Sequence, residues 1–142
     1  MESELNTYAL ITGGSSGIGK ALAIELASRG YDIAIVALPN TGQEQVRQEI
    51  KSAYNVKFKS LELNILEKGA ISQISAWVIS EQMNLQILVN NAGIGYAAGF
   101  DTLEGSFIST VIDLNIKATT LLSHAMIPFL KKRRQSYILN LS

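Results

Sequence analysis

Thr12-Gly13-Gly14-Ser15-Ser16-Gly17-Ile18-Gly19 follows the apolar run Tyr8-Ala9-Leu10-Ile11 and precedes an amphipathic stretch from Lys20 to Arg29. A strand that runs through a glycine turn into a helix is the context a dinucleotide-phosphate loop needs. One glycine turns the chain sharply, one lets a pyrophosphate approach the backbone, and one lets helix and strand pack closely. The helix start offers unpaired N–H groups and the positive end of its dipole to an anion. A lone glycine cluster after a strand is weak evidence, because any βα turn can use glycine. Here the glycines come with Thr12 and two serines in that context. Cofactor contacts are therefore expected at Gly13, Ser15, Ser16, Gly17, Ile18 and Gly19.

Outward from this turn, apolar runs and helical patterns alternate to the end of the chain. Strands are expected at Thr7 to Thr12, Asp32 to Ala37, Lys57 to Leu63, Gln86 to Asn90 and Ser136 to Leu141. The first helix should run from Gly17 to Arg29, with Ile18, Leu22, Ile24 and Leu26 on its inner side. Thr41 reads as the cap of the second, with Glu44 as its capping-box partner. The third spans about Glu67 to Gln82, with Ile71, Ile74 and Val78 at helical spacing. A long helical region starts at Asp101 or Thr102 and reaches Lys132, bent or shortened near its end by Pro128. This order predicts a Rossmann-type α/β fold: a doubly wound parallel sheet of about five strands, helices on both faces, in one domain over residues 1–142.

Composition narrows the function. Apolar residues make up 47% of the 142, enough for a sizeable core, and the formal net charge is zero. Neither nucleic acid nor an anionic membrane is an expected partner. No apolar run approaches the roughly 18 residues that span a bilayer. The N-terminus, Met1-Glu2-Ser3-Glu4, is acidic and lacks the features of a secretory signal. There is no cysteine and a single histidine, His124. Disulfides, thiolate metal sites and histidine-rich zinc sites are excluded, which suits a cytoplasmic protein. His124 reads as a helix-face residue, Trp77 as core or interface, and Lys131 to Arg134 as a solvated helix end.

The spacing Gly13-x3-Gly17-x-Gly19 behind Thr12 resembles the short-chain dehydrogenase/reductase family. Asn90-Asn91-Ala92-Gly93, at the end of the fourth strand, is similar to that family's NNAG motif, which steadies the central sheet and lines the cofactor site. The resemblance thus adds Asn91, Ala92 and Gly93 to the expected cofactor contacts. By position Asn115 resembles the helix asparagine of the family's catalytic tetrad, which holds a water in the proton-relay path. Asn64-Ile65, after the third strand, occupies the place of an Asp-Val near the adenine in many relatives, so both are expected adenine-side contacts.

The end of the second strand, Val36-Ala37-Leu38-Pro39-Asn40, bears on cofactor choice. NAD sites place an acid there for the ribose 2′-OH, and NADP sites avoid it and supply a cation. This chain has neither at that place, and Leu38 is the expected cofactor contact there. The reading favours NADP over NAD.

Relatives continue beyond the fifth strand through a substrate-positioning serine and then Tyr-x-x-x-Lys, the proton-transfer pair. None of the five tyrosines here is followed by lysine four residues on. Ser142 resembles the serine that often precedes the catalytic one; the alternative is that it is the catalytic serine itself. The implied activity is hydride transfer between a nicotinamide cofactor and a carbonyl or alcohol substrate. Without the pair, these residues are expected to be nearly inactive, since losing a positioned acid/base costs about 10²–10⁴-fold. A non-catalytic nucleotide-binding module is the alternative. A methyltransferase-type Rossmann enzyme is opposed by the glycine spacing and by Asn90 to Gly93. Ser136 to Leu141 is uncharged, strand-prone and free of proline, so self-association through that edge is expected.

Overall fold

The computed structural model describes residues 7–142. Its elements in chain order are β1 (Thr7–Thr12), α1 (Gly17–Ser28), β2 (Asp32–Ala37), α2 (Gln43–Ala53), β3 (Phe58–Glu62), α3 (Ala70–Ser80), β4 (Asn84–Asn90), α4 (Gly105–Ile112), α5 (Thr119–Leu130) and β5 (Tyr137–Asn140). A 3₁₀ turn, Phe100–Thr102, precedes α4, and a π turn, Asp113–Ala118, joins α4 to α5. All neighbouring strands pair in parallel, in the order β3-β2-β1-β4-β5. The chain winds outward from β1 through β2 to β3, then returns to place β4 on the other side of β1. The carboxyl ends of β1 and β4 therefore sit at the point where the strand order reverses, where open α/β sheets bind ligands.

Every residue of β1 and of β2 is buried, as expected of strands covered on both faces. The alternation of side chains sorts them into two cores. Ala9, Ile11, Ile33, Ile35 and Val89 pack with Ala23 and Ala27 of α1 and Val46 and Ile50 of α2. Leu10, Ala34, Val36, Leu85 and Leu88 pack with Ile74 and Val78 of α3 and Leu122, Met126 and Leu130 of α5. Burying one such aliphatic side chain contributes roughly 1.5–3 kcal/mol.

The packing face of α1 differs from expectation. Its buried residues are Gly19, Ala23 and Ala27, while Ile18 is 63% exposed. Leu22, Ile24 and Leu26 only flank the core. A stripe of small residues at four-residue spacing lets the helix lie close to the sheet, and the larger side chains spread to either side.

Other boundaries also move. The cap of α2 is Gly42, in a left-handed conformation at φ 100°, and not Thr41. Thr41 turns its hydroxyl to the Leu38 carbonyl, and Gln43, not Glu44, reaches back to the Thr41 N–H. Helix α3 begins at Ala70 because residues 64–69 form successive turns: Asn64 Oδ1 accepts from the Leu66 N–H, and Gly69 sits at φ 80°. The long C-terminal helical region is divided by the π turn. Pro128 lies inside α5, which ends two residues later at Leu130. His124 is exposed, and Trp77 packs partly buried against the α3–α5 core.

Two buried polar groups fasten strands to one another. Asn90 Nδ2 donates to Ser123 Oγ on α5 at 2.9 Å and to Asn140 Oδ1 on β5 at 2.8 Å. At the opposite edge of the sheet, Asp32 Oδ1 accepts the Lys57 N–H at 2.8 Å. Asp32 also bears on Tyr8, its register partner on β1. Burial first, and then the negative charges of Asp32 and Glu81, push the Tyr8 phenol up to about 12.

Candidate functional site

The carboxyl ends of β1 and β4 are tied together by two side chains. Thr12 Oγ1 accepts the backbone N–H groups of Asn91 and Ala92, each at 3.0 Å. Asn91 Nδ2 donates in return to the carbonyls of Thr12 and Gly13, at 3.1 and 3.0 Å. Every one of these bonds joins a side chain to backbone across the switch point. The glycine turn and the segment Asn91 to Gly93 thereby form one continuous floor.

Over that floor lies a cleft of about 530 Å³. Gly13, Ser15, Ser16 and Ile18 line it from the glycine turn, Leu38 from the end of β2, Asn64 and Ile65 from the end of β3, and Asn91, Ala92 and Gly93 from the end of β4. The structure brings these sequence-predicted residues into a single concavity. Gly17 and Gly19 do not line it, and each has a distinct role. Gly17 opens α1 at φ 53°, with open space where a side chain would be. Gly19 packs so tightly that an added Cβ would stand 2.2 Å from the Gly13 carbonyl oxygen.

The turn fits an anionic group. Ser16, the cap residue of α1, makes no side-chain hydrogen bond to the helix. The first intrahelical donor is Lys20, which bonds the Ser16 carbonyl at 3.1 Å. The N–H groups of the first turn thus remain available at the positive end of a 12-residue helix. Lys20 itself is directed elsewhere, with its ammonium 2.8 Å from Glu49 of α2.

Asn115 lies in the π turn and does not line the cleft. Its Oδ1 accepts the Ile94 N–H at 2.9 Å, and its Nδ2 donates to the Ile94 carbonyl at 2.8 Å. One side-chain amide therefore replaces a strand neighbour for Ile94, and it fixes the segment just past Gly93 against the π turn. The extra residue of the π turn re-aims side chains along the helix, a feature frequent at functional sites. Asn64 uses its carbonyl in the turn to Leu66. Its amide N–H₂ and the second lone pair of Oδ1 remain for a ligand, so it can both donate and accept there.

Sequence reading missed part of the wall. Ile94, Thr110 and Leu114 line the cleft from the β4–α4 side. Thr110 and Leu114 share a helix face by their four-residue spacing, but nothing in their chemistry marked them. Thr41 also lines the cleft, and its hydroxyl lies 2.8 Å from that of Ser15. Its reading as a helix cap concealed that contact. Among the described residues there is no cluster of groups that could hold a metal ion, and no helix is long and apolar enough to cross a membrane.

Known proteins resemble this chain over most of its length. Very-long-chain 3-oxoacyl-CoA reductase-A of Danio rerio is 29% identical over 147 residues, covering 100% of this chain and 45% of that protein. The crystal structure of a metagenomic short-chain oxidoreductase in complex with NADP superposes with a TM-score of 0.88 at 29% identity, covering 97% of this chain and 62% of that one. A short-chain dehydrogenase from Sphingobium yanoikuyae in complex with NADPH gives a TM-score of 0.84 at 28% identity, covering 94% and 52%. The chain spans about half the length of the curated relatives it matches. The family profile described as short chain dehydrogenase matches residues 7–142, and the chain belongs to that family.

Proposed function

We propose that this chain forms the cofactor-holding part of an oxidoreductase that moves hydride between a nicotinamide dinucleotide and a carbonyl or alcohol. One observation carries the reading: the uncapped first turn of α1 and the floor made by Thr12 and Asn91 face one cleft at the switch point. In this reading Gly13, Ser15, Ser16, Gly17, Ile18 and Gly19 surround the pyrophosphate. Leu38, Asn64 and Ile65 bound the adenosine end, and Asn91, Ala92 and Gly93 continue the floor toward the nicotinamide. The bound dinucleotide supplies the redox chemistry. The residues described here bind it, orient it and exclude water from one side. Asn115 acts as a positioning residue by holding Ile94. NADP(H) is the favoured form, because no carboxylate lines the cleft to repel a 2′-phosphate. The relatives described above in complex with NADP and NADPH support that preference.

A thermal-unfolding titration tests the reading. A ligand that binds only the folded chain stabilises it by about 2.7 kcal/mol at a hundredfold excess over Kd. NADPH should therefore raise Tm progressively with concentration, and adenine alone should not. An unchanged Tm at millimolar NADPH would overturn the assignment. Turnover is a separate matter, since these residues include no Tyr-x-x-x-Lys.

The same reading includes self-association of the 142-residue chain through β5. The strand carries half-exposed Tyr137, Ile138 and Leu139 and pairs only with β4 among the described residues. A monodisperse monomer in solution scattering would count against it. A cytoplasmic location, where nicotinamide dinucleotides are abundant, completes the proposal, and cell fractionation tests it.

A further inference from the structure

No residue lining the cleft carries a formal charge. A dinucleotide with two or more negative charges would meet only backbone N–H groups, hydroxyls, amides and apolar side chains there. The basic residue nearest in sequence to the glycine turn, Lys20, is paired with Glu49 on α2. Selection between the two forms of the cofactor must then come from neutral groups.

A pyrophosphate on the first turn of α1 directs the adenosine ribose toward the end of β2. There the Ser15 hydroxyl crosses from the glycine turn to meet Thr41 at 2.8 Å. The Thr41 hydroxyl donates to the Leu38 carbonyl at 2.7 Å. With the Thr41 proton committed, Ser15 is the donor of the pair, and Thr41 Oγ1 keeps one lone pair for another donor. A ribose 2′-OH is such a donor. A 2′-phosphate needs the opposite, and the Ser15 proton can swing from Thr41 to a phosphate oxygen. The pair is amphoteric: it can serve either 2′ group by moving a proton, without moving the backbone.

We infer that this cleft distinguishes only weakly between NADH and NADPH, and that Thr41, through its contact with Ser15, is the residue that sets the ratio. The inference rests on the dinucleotide reading above. A charge-assisted bond from Ser15 to phosphate is offset by the lost Ser15–Thr41 bond and by desolvation of the extra charge. The advantage left to NADPH is a factor of about ten or less.

The test is equilibrium binding of NADH and NADPH, followed by reduced-nicotinamide fluorescence, to the unmodified chain, Thr41→Asp and Thr41→Lys. The unmodified chain should bind both within about tenfold of each other. Thr41→Asp should weaken NADPH about tenfold or more and leave NADH within about threefold, by repulsion of the 2′-phosphate. Thr41→Lys should shift the ratio the other way, and shifts of opposite sign cannot arise from misfolding. A preference beyond about a hundredfold in the unmodified chain, or a ratio that neither variant moves, would overturn the inference while leaving the dinucleotide reading intact. Binding of neither form to the unmodified chain would overturn both.

Discussion

Gly19→Ala tests whether the close approach of α1 to β1 is a requirement of the fold or a coincidence of spacing. The added Cβ would stand 2.2 Å from the Gly13 carbonyl oxygen, 2.4 Å from Asn91 Nδ2 and 2.9 Å from the Gly13 carbonyl carbon. Two of those atoms are backbone, so α1 must lift from the sheet end. Overpacking of this kind costs about 1–3 kcal/mol. Displacing Asn91 Nδ2 also breaks its bonds to Thr12 and Gly13, each worth a net 0.5–1.5 kcal/mol, roughly. Alanine returns about 1 kcal/mol of helix propensity. The sum is a destabilisation of about 3 kcal/mol, within a span of roughly 1–5. With a urea m-value near 2 kcal/mol/M, the unfolding midpoint should fall by about 1.5 M. Far-UV circular dichroism in urea reads it. Gly95→Ala is the control: an added Cβ there meets nothing within 4 Å, and the change should stay within about 0.5 kcal/mol. A Gly19→Ala midpoint within about 0.3 M of the unmodified chain would refute the packing argument.

Two further outcomes follow from the polar contacts. The Tyr8 phenol is raised from 10.0 to about 12, so the folded chain holds that proton more tightly than the unfolded one. Its contribution to stability is complete below pH 10 and is lost as pH rises toward about 12. Tyr8→Phe should flatten that part of the stability curve in urea titrations at stepped alkaline pH; an equally steep loss in the variant would contradict the assignment. Asn115→Ala removes both bonds to Ile94. Exchange of the Ile94 amide hydrogen should accelerate by about tenfold or more, while the amides of β1 keep their protection. Unchanged exchange at Ile94 would show that α4 holds the segment without Asn115.

The parallel sheet was legible because its central strands are largely apolar, and β1 and β2 match their expected bounds. The cleft was legible through its glycines and Asn90 to Gly93, since these residues are dictated by backbone geometry that leaves a local mark. What escaped reading was non-local or hidden by glycine. Gly42 and Gly69 adopt left-handed conformations that place the starts of α2 and α3 later than expected. The inner face of α1 escaped because periodicity favours the largest apolar residues, whereas the sheet selects the smallest. Thr41 and Asn115 each turn toward a partner distant in sequence, Ser15 or Ile94, which no local pattern marks.

These contacts share a physical logic that bears on how the cleft can work. Thr12, Asn91 and Asn115 are short, neutral side chains whose polar groups are directed at backbone on neighbouring segments. Long charged side chains in the same places would lose more conformational entropy and would need their charge solvated inside the sheet end. Neutral amides and hydroxyls avoid both costs and hold their positions before any ligand arrives. Their bonds to backbone fix the floor; in the proposed reading an anion would fall to the first turn of α1 and the ribose to Ser15 and Thr41. The division separates the groups that shape the cleft from those that would select its ligand. Substitution at Thr41 can therefore change selection while the floor built by Thr12 and Asn91 stays in place.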